Sequence, residues 1–320
     1  MKYINYAYFN LWLIKEIISK CKSHSEIVLQ FGWPTIPAVA LLNRLRFCSW
    51  IAILVDSVIT HSANDLGWSI RREGIPLAIA KRIERLARWA KFIVVVNRAE
   101  ADSLIASGFA RDKVKCIPIA TRILERPGLL KSSAIKTAFL LNHNLPSDAK
   151  LVAFHGDLTY LPNRNAASQI VNYIAPRTHQ IDHTIFFLII GKGEVPRRVS
   201  DNVLFLGFVD DLEILLSNVD AEIVPLEMGS GLKNKIVDAL NCALPVVTTK
   251  TGKSGFEQQD CPLIVAEIER FPETILDLLN NADRTKIGEK GWTYVKNHYS
   301  IDKHSEYFSM VKTIEQEVSA

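Results

Sequence analysis

The sequence has little cysteine, and no two cysteines are spaced to hold a metal. Its 320 residues include five cysteines, and none of them forms a CxxC pair. This argues against a zinc site or a disulfide framework, and the sequence predicts no metal cofactor. No segment reaches the roughly 18 uncharged apolar residues of a transmembrane helix. The apolar stretch at residues 7–14 lacks a signal-peptide cleavage site, so we expect a cytoplasmic protein.

Acidic residues are scarce in the N-terminal part of the chain. Residues 1–130 contain 19 Lys and Arg against 10 Asp and Glu, whereas the remainder contains 19 against 24. A basic half favours an anionic partner, such as a phosphate-bearing acceptor or the inner face of a membrane. A solvated charged surface without a partner is an equally good interpretation.

Short apolar runs alternate with helical segments along most of the chain. Examples of such runs are residues 49–55, 92–96, 184–190 and 221–224. Apolar runs separated by helices predict an α/β protein with parallel sheets and crossover helices.

Residues 121–150 break this alternation with Pro127-Gly128 and the polar turn at 145–148. Such composition is typical of a connection between domains. Two α/β domains with polar turns at strand ends predict a ligand in the cleft between them. The predicted organisation is an N-terminal domain at 1–130, a linker at 131–150, a C-terminal domain at 151–300 and a C-terminal helix at 301–320.

The most informative segment leads from a strand through a glycine loop into a helix. The strand ends at Val224, the loop is Gly229–Gly231, and the helix carries Lys233 and Lys235 in its first turn. Glycines before a helix N-terminus let backbone N–H groups approach an anion, which the helix dipole also favours. Asp238, about two helical turns further on, can accept hydrogen bonds from sugar hydroxyls. The segment predicts a diphosphate site; the alternative is an ordinary strand–turn–helix with exposed lysines.

This segment resembles the donor-binding motif of retaining glycosyltransferases of family 4, which have the GT-B fold of two Rossmann-like domains. It is similar to the branch in which Gly-(Ser/Ala)-Gly-x-Lys replaces Glu-Gly-Phe-Gly. Residues 154–163, 188–193 and 203–209 are similar to further motifs of the family in order and spacing. Four motifs in register make coincidence improbable. The resemblance covers about residues 27–300.

The resemblance implies a nucleotide-diphosphate sugar donor on the C-terminal domain and a glycan or lipid-linked acceptor on the N-terminal domain. Lys233 or Lys235 would stabilise the departing diphosphate, and Asp238 would bind the ribose. Such transfer needs no evident protein nucleophile, because positioning and charge stabilisation carry it. The other donor-binding residues that the resemblance implies are Gly156, Asn163, Gly191, Gly193, Gly207, Phe208, Val209, Gly229, Ser230, Gly231 and Leu232.

The sequence departs from the family pattern at three places. Ser230 stands where a first Glu usually contacts the transferred sugar, and Asp238 stands for a second, longer Glu. The strand and glycine-rich loop that open the family's N-terminal domain have no counterpart before residues 26–31. We therefore expect a shortened, incomplete N-terminal domain, whose exposed sheet edge would favour a partner or self-association.

Three further features have a functional and a structural interpretation. His61 lies where the family often has a histidine near the acceptor, so it joins the catalytic candidates, although loop histidines are more often simply solvated. His155 can face the cleft or pack in the core. The basic, amphipathic segment 76–91 is typical of a helix on anionic lipid, and equally of a crossover helix with solvated charges.

The sequence thus predicts a retaining hexosyltransferase that moves a sugar to a glycan or lipid-linked acceptor in cell-surface polysaccharide synthesis. The alternative is a catalytically silent, shortened relative that binds nucleotide or serves as a partner subunit. A nucleic-acid-binding protein is a third interpretation. It rests only on the basic N-terminal half and lacks a recognition motif.

Overall fold

The computed structural model divides into two compact units. Unit 1 comprises Met1–Ile119, Ser230–Leu232 and Asp302–Ala320, and unit 2 comprises Ala120–Gly229 and Lys233–Ile301. Within the described parts of the chain, no helix is both long and apolar enough to cross a bilayer. The structure describes residues 13–14, 17–18, 27–31, 35–46, 48–54, 77–117, 121–125, 130–193, 201–229, 232–256, 261–301, 312 and 316.

Unit 1 contains a four-stranded sheet whose neighbouring strands are all parallel. Its strands follow each other across the sheet in chain order: β1 (Ile27–Phe31), β2 (Ser49–Leu54), β3 (Phe92–Val95) and β4 (Val114–Cys116). Among the described residues its helices include α1 (Ile36–Arg44), α2 (Leu77–Glu84) with a 3-10 continuation at Arg85–Trp89, and α3 (Arg98–Ala106). Parallel strands need such crossover connections, as the alternation in the sequence predicts.

The core of unit 1 lies between this sheet and its helices. Trp50, Ile93 and Leu104 are fully buried and belong to one apolar cluster with Leu42 of α1. Burial of each such side chain contributes about 1.5–3 kcal/mol, so the apolar runs of the sequence account for the position of the sheet.

Unit 2 contains a six-stranded parallel sheet in the order β10-β9-β8-β5-β6-β7. Its strands are β5 (Lys150–His155), β6 (Ile185–Ile190), β7 (Val203–Gly207), β8 (Ala221–Val224), β9 (Val246–Thr248) and β10 (Ile264–Val265). Its helices are α4 (Ser133–Asn142), α5 (Leu161–Gln169), α6 (Ala175–Ile181), α7 (Leu212–Ser217), α8 (Asn234–Asn241), α9 (Lys250–Lys253), α10 (Phe271–Asn280) and α11 (Arg284–Tyr299).

The strand order of unit 2 reverses at one place. From β5 the chain goes to β6 and β7 on one side, and then to β8, β9 and β10 on the other. In open parallel sheets, ligands bind in the crevice outside the carboxyl ends of the strands at such a reversal. In unit 2 this place is the β5–β8 crevice, bordered by His155 and Gly156 at the end of β5 and by Val224 and Pro225 at the end of β8.

The long helical segment that follows β5 contains two prolines. Helical structure runs from Leu161 to Ile181, with a π-helical turn at Ile170–Ile174 between α5 and α6. Pro162 is compatible with the first turn of α5, because the backbone N–H that proline lacks would have no acceptor within the helix there. Pro176 has no N–H to continue an α-helix, and the wider π turn just before it accommodates that loss.

The segment expected to be a linker, residues 131–150, contains helix α4 and belongs to unit 2. The side chain of Ser132 caps α4 by accepting a hydrogen bond from the Ile135 N–H. Leu140 is buried. Asp211 occupies the N-cap position of α7, but its side chain makes no capping hydrogen bond. The C-terminal helix expected at 301–320 lies almost wholly outside the described residues.

Asp220 joins α4, β5 and α11. Its Oδ2 accepts from Lys136 Nζ at 2.6 Å and from the Leu151 N–H at 2.8 Å, and its Oδ1 accepts from Arg284 Nη1 at 2.7 Å. Burial alone would raise the pKa of this carboxyl, but these contacts lower it below its usual value of 3.8. The carboxylate therefore stabilises the fold above that value.

We expect Asp220→Asn to lower the free energy of unfolding by about 2 kcal/mol at pH 7, because two partly exposed cations lose their common carboxylate. Since the pKa of Asp220 is lowered in the folded state, the difference from wild type shrinks as the pH falls below about 4. Urea unfolding at pH 7 and pH 3 measures both effects. The exposed Asp148→Asn is the control and changes neither; an equal loss at the two pH values would contradict the ion-pair explanation.

Candidate functional site

Glycines end the strands that border the β5–β8 crevice. Gly156 follows β5, Gly191 follows β6, Gly207 ends β7, and Gly229 lies in the loop after β8. All four have positive φ, at +153°, +142°, +66° and +107° respectively. At such angles a side chain is strained, so the sequence places glycine where each strand turns into its loop.

Two of these glycines also allow parts of the site to approach each other. A Cβ on Gly191 would overlap the carbonyl oxygen of Gly156, and a Cβ on Gly156 would lie 2.6 Å from Lys235 Nζ. At Gly193 a Cβ would come within 2.7 Å of Leu158 Cβ. The predicted glycines therefore bring the ends of β5 and β6 together and leave room for a lysine.

Lys235 is held in the crevice by contacts on two sides. Its Nζ donates a hydrogen bond to Asn163 Oδ1 at 2.6 Å, and the Asn163 amide in turn donates to the Asp157 carbonyl at 2.9 Å. The ammonium also lies 4.3 Å from the centroid of the Phe154 ring. Burial lowers the pKa of Lys235 to about 8, against the charges of Glu222 and Asp238. Lys235 is thus a fixed cation at neutral pH.

Lys233 lies at the N-cap position of α8 and is only 8% exposed. Its Nζ donates to the Gly229 carbonyl at 3.3 Å, which ties the glycine loop to the start of the helix. The dipole of α8 adds positive potential at the same end. Two lysines and a helix N-terminus therefore make this side of the crevice suitable for an anion.

A chain of alternating charges lies beside the lysines. His155 Nδ1 is 2.8 Å from Glu222 Oε1, and His155 Nε2 is 3.5 Å from Asp238 Oδ2. Glu222 is fully buried in β8, whereas the side chain of Asp238 is 46% exposed. Burial alone would lower the pKa of His155, but the two carboxylates raise it to about 9. His155 is therefore cationic at neutral pH.

A cavity of about 530 Å³ opens beside Asp238, between α7 and α8. Its apolar lining residues are Leu130, Leu212, Ile214 and Leu216, and its polar ones are Asp210, Asp211, Glu213, Asp238 and Asn241. The turn after β7 is near in sequence to this cavity: Phe208 is 62% exposed there. Lys192 Nζ lies 4.8 Å from the centroid of the Phe208 ring. A concave site of this volume with both apolar and polar walls is suitable for a small molecule.

The structure groups most of the predicted donor-site residues around one crevice of unit 2. Leu232 is half-buried immediately before Lys233. Ser230, Gly231 and His61 lie outside the described residues. Among the described residues, no group of three or more His, Cys, Asp or Glu could hold a metal ion.

Sequence reasoning missed Glu222 and left His155 open between cleft and core. The structure shows His155 to be a buried residue that also reaches Asp238. A signal was present for Glu222, since a lone carboxylate interrupts the apolar run of β8. A buried carboxylate requires a charged partner, and the histidine at the end of β5 is that partner.

Part of the chain is similar to a known protein family. Residues 149–281, most of unit 2, match the family described as glycosyl transferases group 1. None of the curated proteins compared with the chain matches it in sequence.

Solved structures similar to the chain are GT-B glycosyltransferases. HepE from Anabaena, solved in complex with UDP, is 14% identical, with a TM-score of 0.73 over 94% of this chain and 82% of HepE. A glycosyltransferase from Rickettsia africae is 15% identical, with a TM-score of 0.68 over 97% of this chain and 80% of that protein. WaaG, a glycosyltransferase of lipopolysaccharide biosynthesis, is 14% identical, with a TM-score of 0.60 over 83% of this chain and 79% of WaaG.

The two Rossmann-like units and these comparisons define the class of the protein. The chain has the GT-B fold, and residues 149–281 of unit 2 are similar to group 1 glycosyl transferases. The GT-B fold that the sequence motifs indicate is thereby confirmed, and the match of unit 2 to group 1 glycosyl transferases agrees with the resemblance.

Proposed function

We propose that the protein transfers a sugar from a nucleotide-diphosphate sugar bound in the β5–β8 crevice. The observation that carries this proposal is the convergence of Lys233, Lys235 and the N-terminus of α8 at the strand-order reversal, with Asp238 beside them. A diphosphate needs concentrated positive charge, and a ribose needs a hydrogen-bond acceptor. The crevice supplies both within one helix.

In the proposed reaction the bond between the sugar C1 and the β-phosphate oxygen breaks, and its electron pair stays on the diphosphate. An acceptor hydroxyl oxygen forms the new bond to C1, and its proton passes to the departing diphosphate oxygen. Lys233 and Lys235 act on the negative charge that grows on the departing diphosphate. Their fixed positions matter because preorganised cations need no rearrangement during the reaction.

We place the nucleoside of the donor in the cavity between α7 and α8. Its volume of about 530 Å³ lies within the usual range for small-molecule sites. Asp238 would accept hydrogen bonds from the ribose there, and Gly207, Phe208 and Val209 would border the base. HepE structures contain UDP and UDP-glucose, which supports UDP as the first nucleotide to test.

We also propose retention of the sugar's anomeric configuration, as in family 4, and a glycan or lipid-linked acceptor. The described part of unit 1 carries exposed basic and apolar groups that suit such an acceptor at an anionic membrane. Leu41, Leu45 and Trp89 are each more than 40% exposed. Arg44 lies 5.5 Å from the centroid of the Trp89 ring, which places α1 and the 3-10 turn in one surface.

We call this surface, formed by Leu41, Arg44, Leu45, Arg85, Arg88 and Trp89, the basic–apolar patch. Aromatic and aliphatic side chains can enter the headgroup region while arginines bind anionic lipid. The patch thus supports a site of action at the inner face of the membrane, in cell-surface polysaccharide synthesis.

We expect the purified protein to release UDP from one member of a panel of UDP-sugars and to release more when a lipid extract supplies an acceptor. Lys233→Ala and Asp238→Ala should lower kcat/KM at least tenfold, since each removes a charged contact to the donor. Coupled detection of UDP measures the release. GDP- and ADP-sugars are tested in parallel.

The control for this experiment is Lys286→Ala, which removes an exposed lysine of α11 and should keep wild-type activity. Binding of UDP without turnover of any donor, with or without lipid, would contradict the enzyme and favour the silent nucleotide-binding relative. Equal activity of Lys233→Ala, Asp238→Ala and wild type would contradict the assigned site.

We expect the affinity for UDP to fall about tenfold as the pH rises from 7 to 9. The folded-state pKa of Lys235 is about 8, so its ammonium is present below that pH and is lost above it. Lys235→Met should bind UDP weakly at pH 7 and show a smaller fall. Calorimetry gives the affinities, and Lys286→Met is the control with the wild-type profile. A wild-type fall that persists unchanged in Lys235→Met would assign the pH dependence to another group.

We expect the protein to sediment with vesicles of anionic lipid and not with vesicles of zwitterionic lipid. Arg85→Glu with Arg88→Glu should abolish this, because the double change reverses charge within the basic–apolar patch. Lys286→Glu with Lys290→Glu makes the same charge change on exposed positions of unit 2 and should leave binding intact. Equal loss in both double variants would mean attraction by net charge alone and would contradict a specific patch.

A further inference from the structure

Glu222 is a buried carboxylate whose role the donor-binding motif does not explain. It is fully buried in β8 between the apolar residues Ala221 and Ile223. A charged group in such a place is costly unless an opposite charge lies against it. Packing alone therefore does not explain why a carboxylate lies at position 222.

His155 is the group in contact with Glu222, and it connects β8 to the donor site. Its Nδ1 lies 2.8 Å from Glu222 Oε1, and its other ring nitrogen lies 3.5 Å from Asp238 Oδ2. Only 8% of the His155 side chain is exposed, so the ring has little freedom to turn away. The imidazole thus bridges an interior carboxylate and the carboxylate that faces the nucleoside cavity.

The charges around His155 favour its cationic form. Burial opposes that form, but Glu222 and Asp238 face the ring from β8 and α8 and outweigh burial and the repulsion by Lys235, which gives a pKa of about 9. A cationic ring donates from both nitrogens, so it can hold both carboxylates. Without Glu222 the ring would lose the largest interaction that favours its cationic form.

We propose that the His155–Glu222 pair is a positioning device that holds the Asp238 carboxylate toward the ribose diol of the donor. This inference rests on the proposed function, because it assigns a role in binding the nucleotide. Asp238 alone is half-exposed on the surface of α8, where its carboxylate can adopt several orientations. Contact with the imidazolium selects one of them before the donor arrives.

A positioning role has a signature that a merely structural role lacks. It acts on the ribose hydroxyls and leaves the diphosphate contacts unchanged. UDP and 2′,3′-dideoxy-UDP share the base and the diphosphate and differ only in those hydroxyls. The ratio of their affinities therefore reports on Asp238 and on whatever orients it.

We expect wild type to bind UDP about tenfold more tightly than 2′,3′-dideoxy-UDP in calorimetry. His155→Gln and Glu222→Gln should each reduce this preference to about twofold by weakening UDP binding alone. Adding His155→Gln to Asp238→Asn should cause little further loss, because both changes remove the same contact. His179→Gln, a half-buried histidine of α6 in the same unit, is the matched control and should keep the tenfold preference.

The wild-type protein provides a second test that no folding defect can obscure. The preference for UDP should decline as the pH rises through about 9, when His155 loses its proton. Lys235, which titrates near pH 8, and Lys233 contact the diphosphate common to both probes, so their effects cancel in the ratio.

The outcomes separate this inference from the proposed function. If wild type binds neither nucleotide, the proposed function fails and the inference fails with it. If wild type prefers UDP but His155→Gln weakens both probes equally, or leaves both unchanged, the positioning role alone is overturned. A preference that stays constant from pH 7 to 10 would overturn it as well.

Discussion

Compensation of the buried charge of Glu222 is the interaction on which the rest of the crevice depends. Its carboxylate lies in the centre of the unit 2 sheet, where water cannot solvate it. His155 contacts Glu222 from the neighbouring strand, and the negative charge of Glu222 also favours the ammonium form of Lys235. Two cations can therefore remain charged in a buried place that would otherwise make them neutral.

Backbone geometry makes this concentration of charge possible. The strands β5 and β8 are neighbours only because the strand order reverses between them, and this brings His155 next to Glu222. The ends of β5 and β6 can then close on each other because Gly156 and Gly191 have no side chains. The space left at Gly156 is occupied by Lys235 Nζ. Fold topology, glycine placement and electrostatics thus depend on one another at this edge of the sheet.

The sequence predicts the local parts of this arrangement well and the long-range parts poorly. Alternating apolar runs predict the parallel strands, and the spacing from Gly229 to Asp238 predicts helix α8 with its two lysines. The pair of His155 and Glu222 could not be predicted, because 67 positions separate them in the chain and only the sheet order brings them together. Helix α4 was not predicted because the residues around it are polar, although Ser132 is an ordinary N-cap residue.

The cationic side chain of His155 also bears on how one site binds two chemically different parts of the donor. A nucleotide sugar presents an anionic diphosphate next to a neutral diol, so its site needs cations and an acceptor close together. Lys235 and Asp238 attract each other across the crevice. If nothing held Asp238 in place, its carboxylate would pair with Lys235 and neutralise the cation that binds the diphosphate. His155 offers Asp238 a separate positive partner, and Glu222 keeps that partner charged. The buried pair therefore keeps the two halves of the site from cancelling each other before the donor binds.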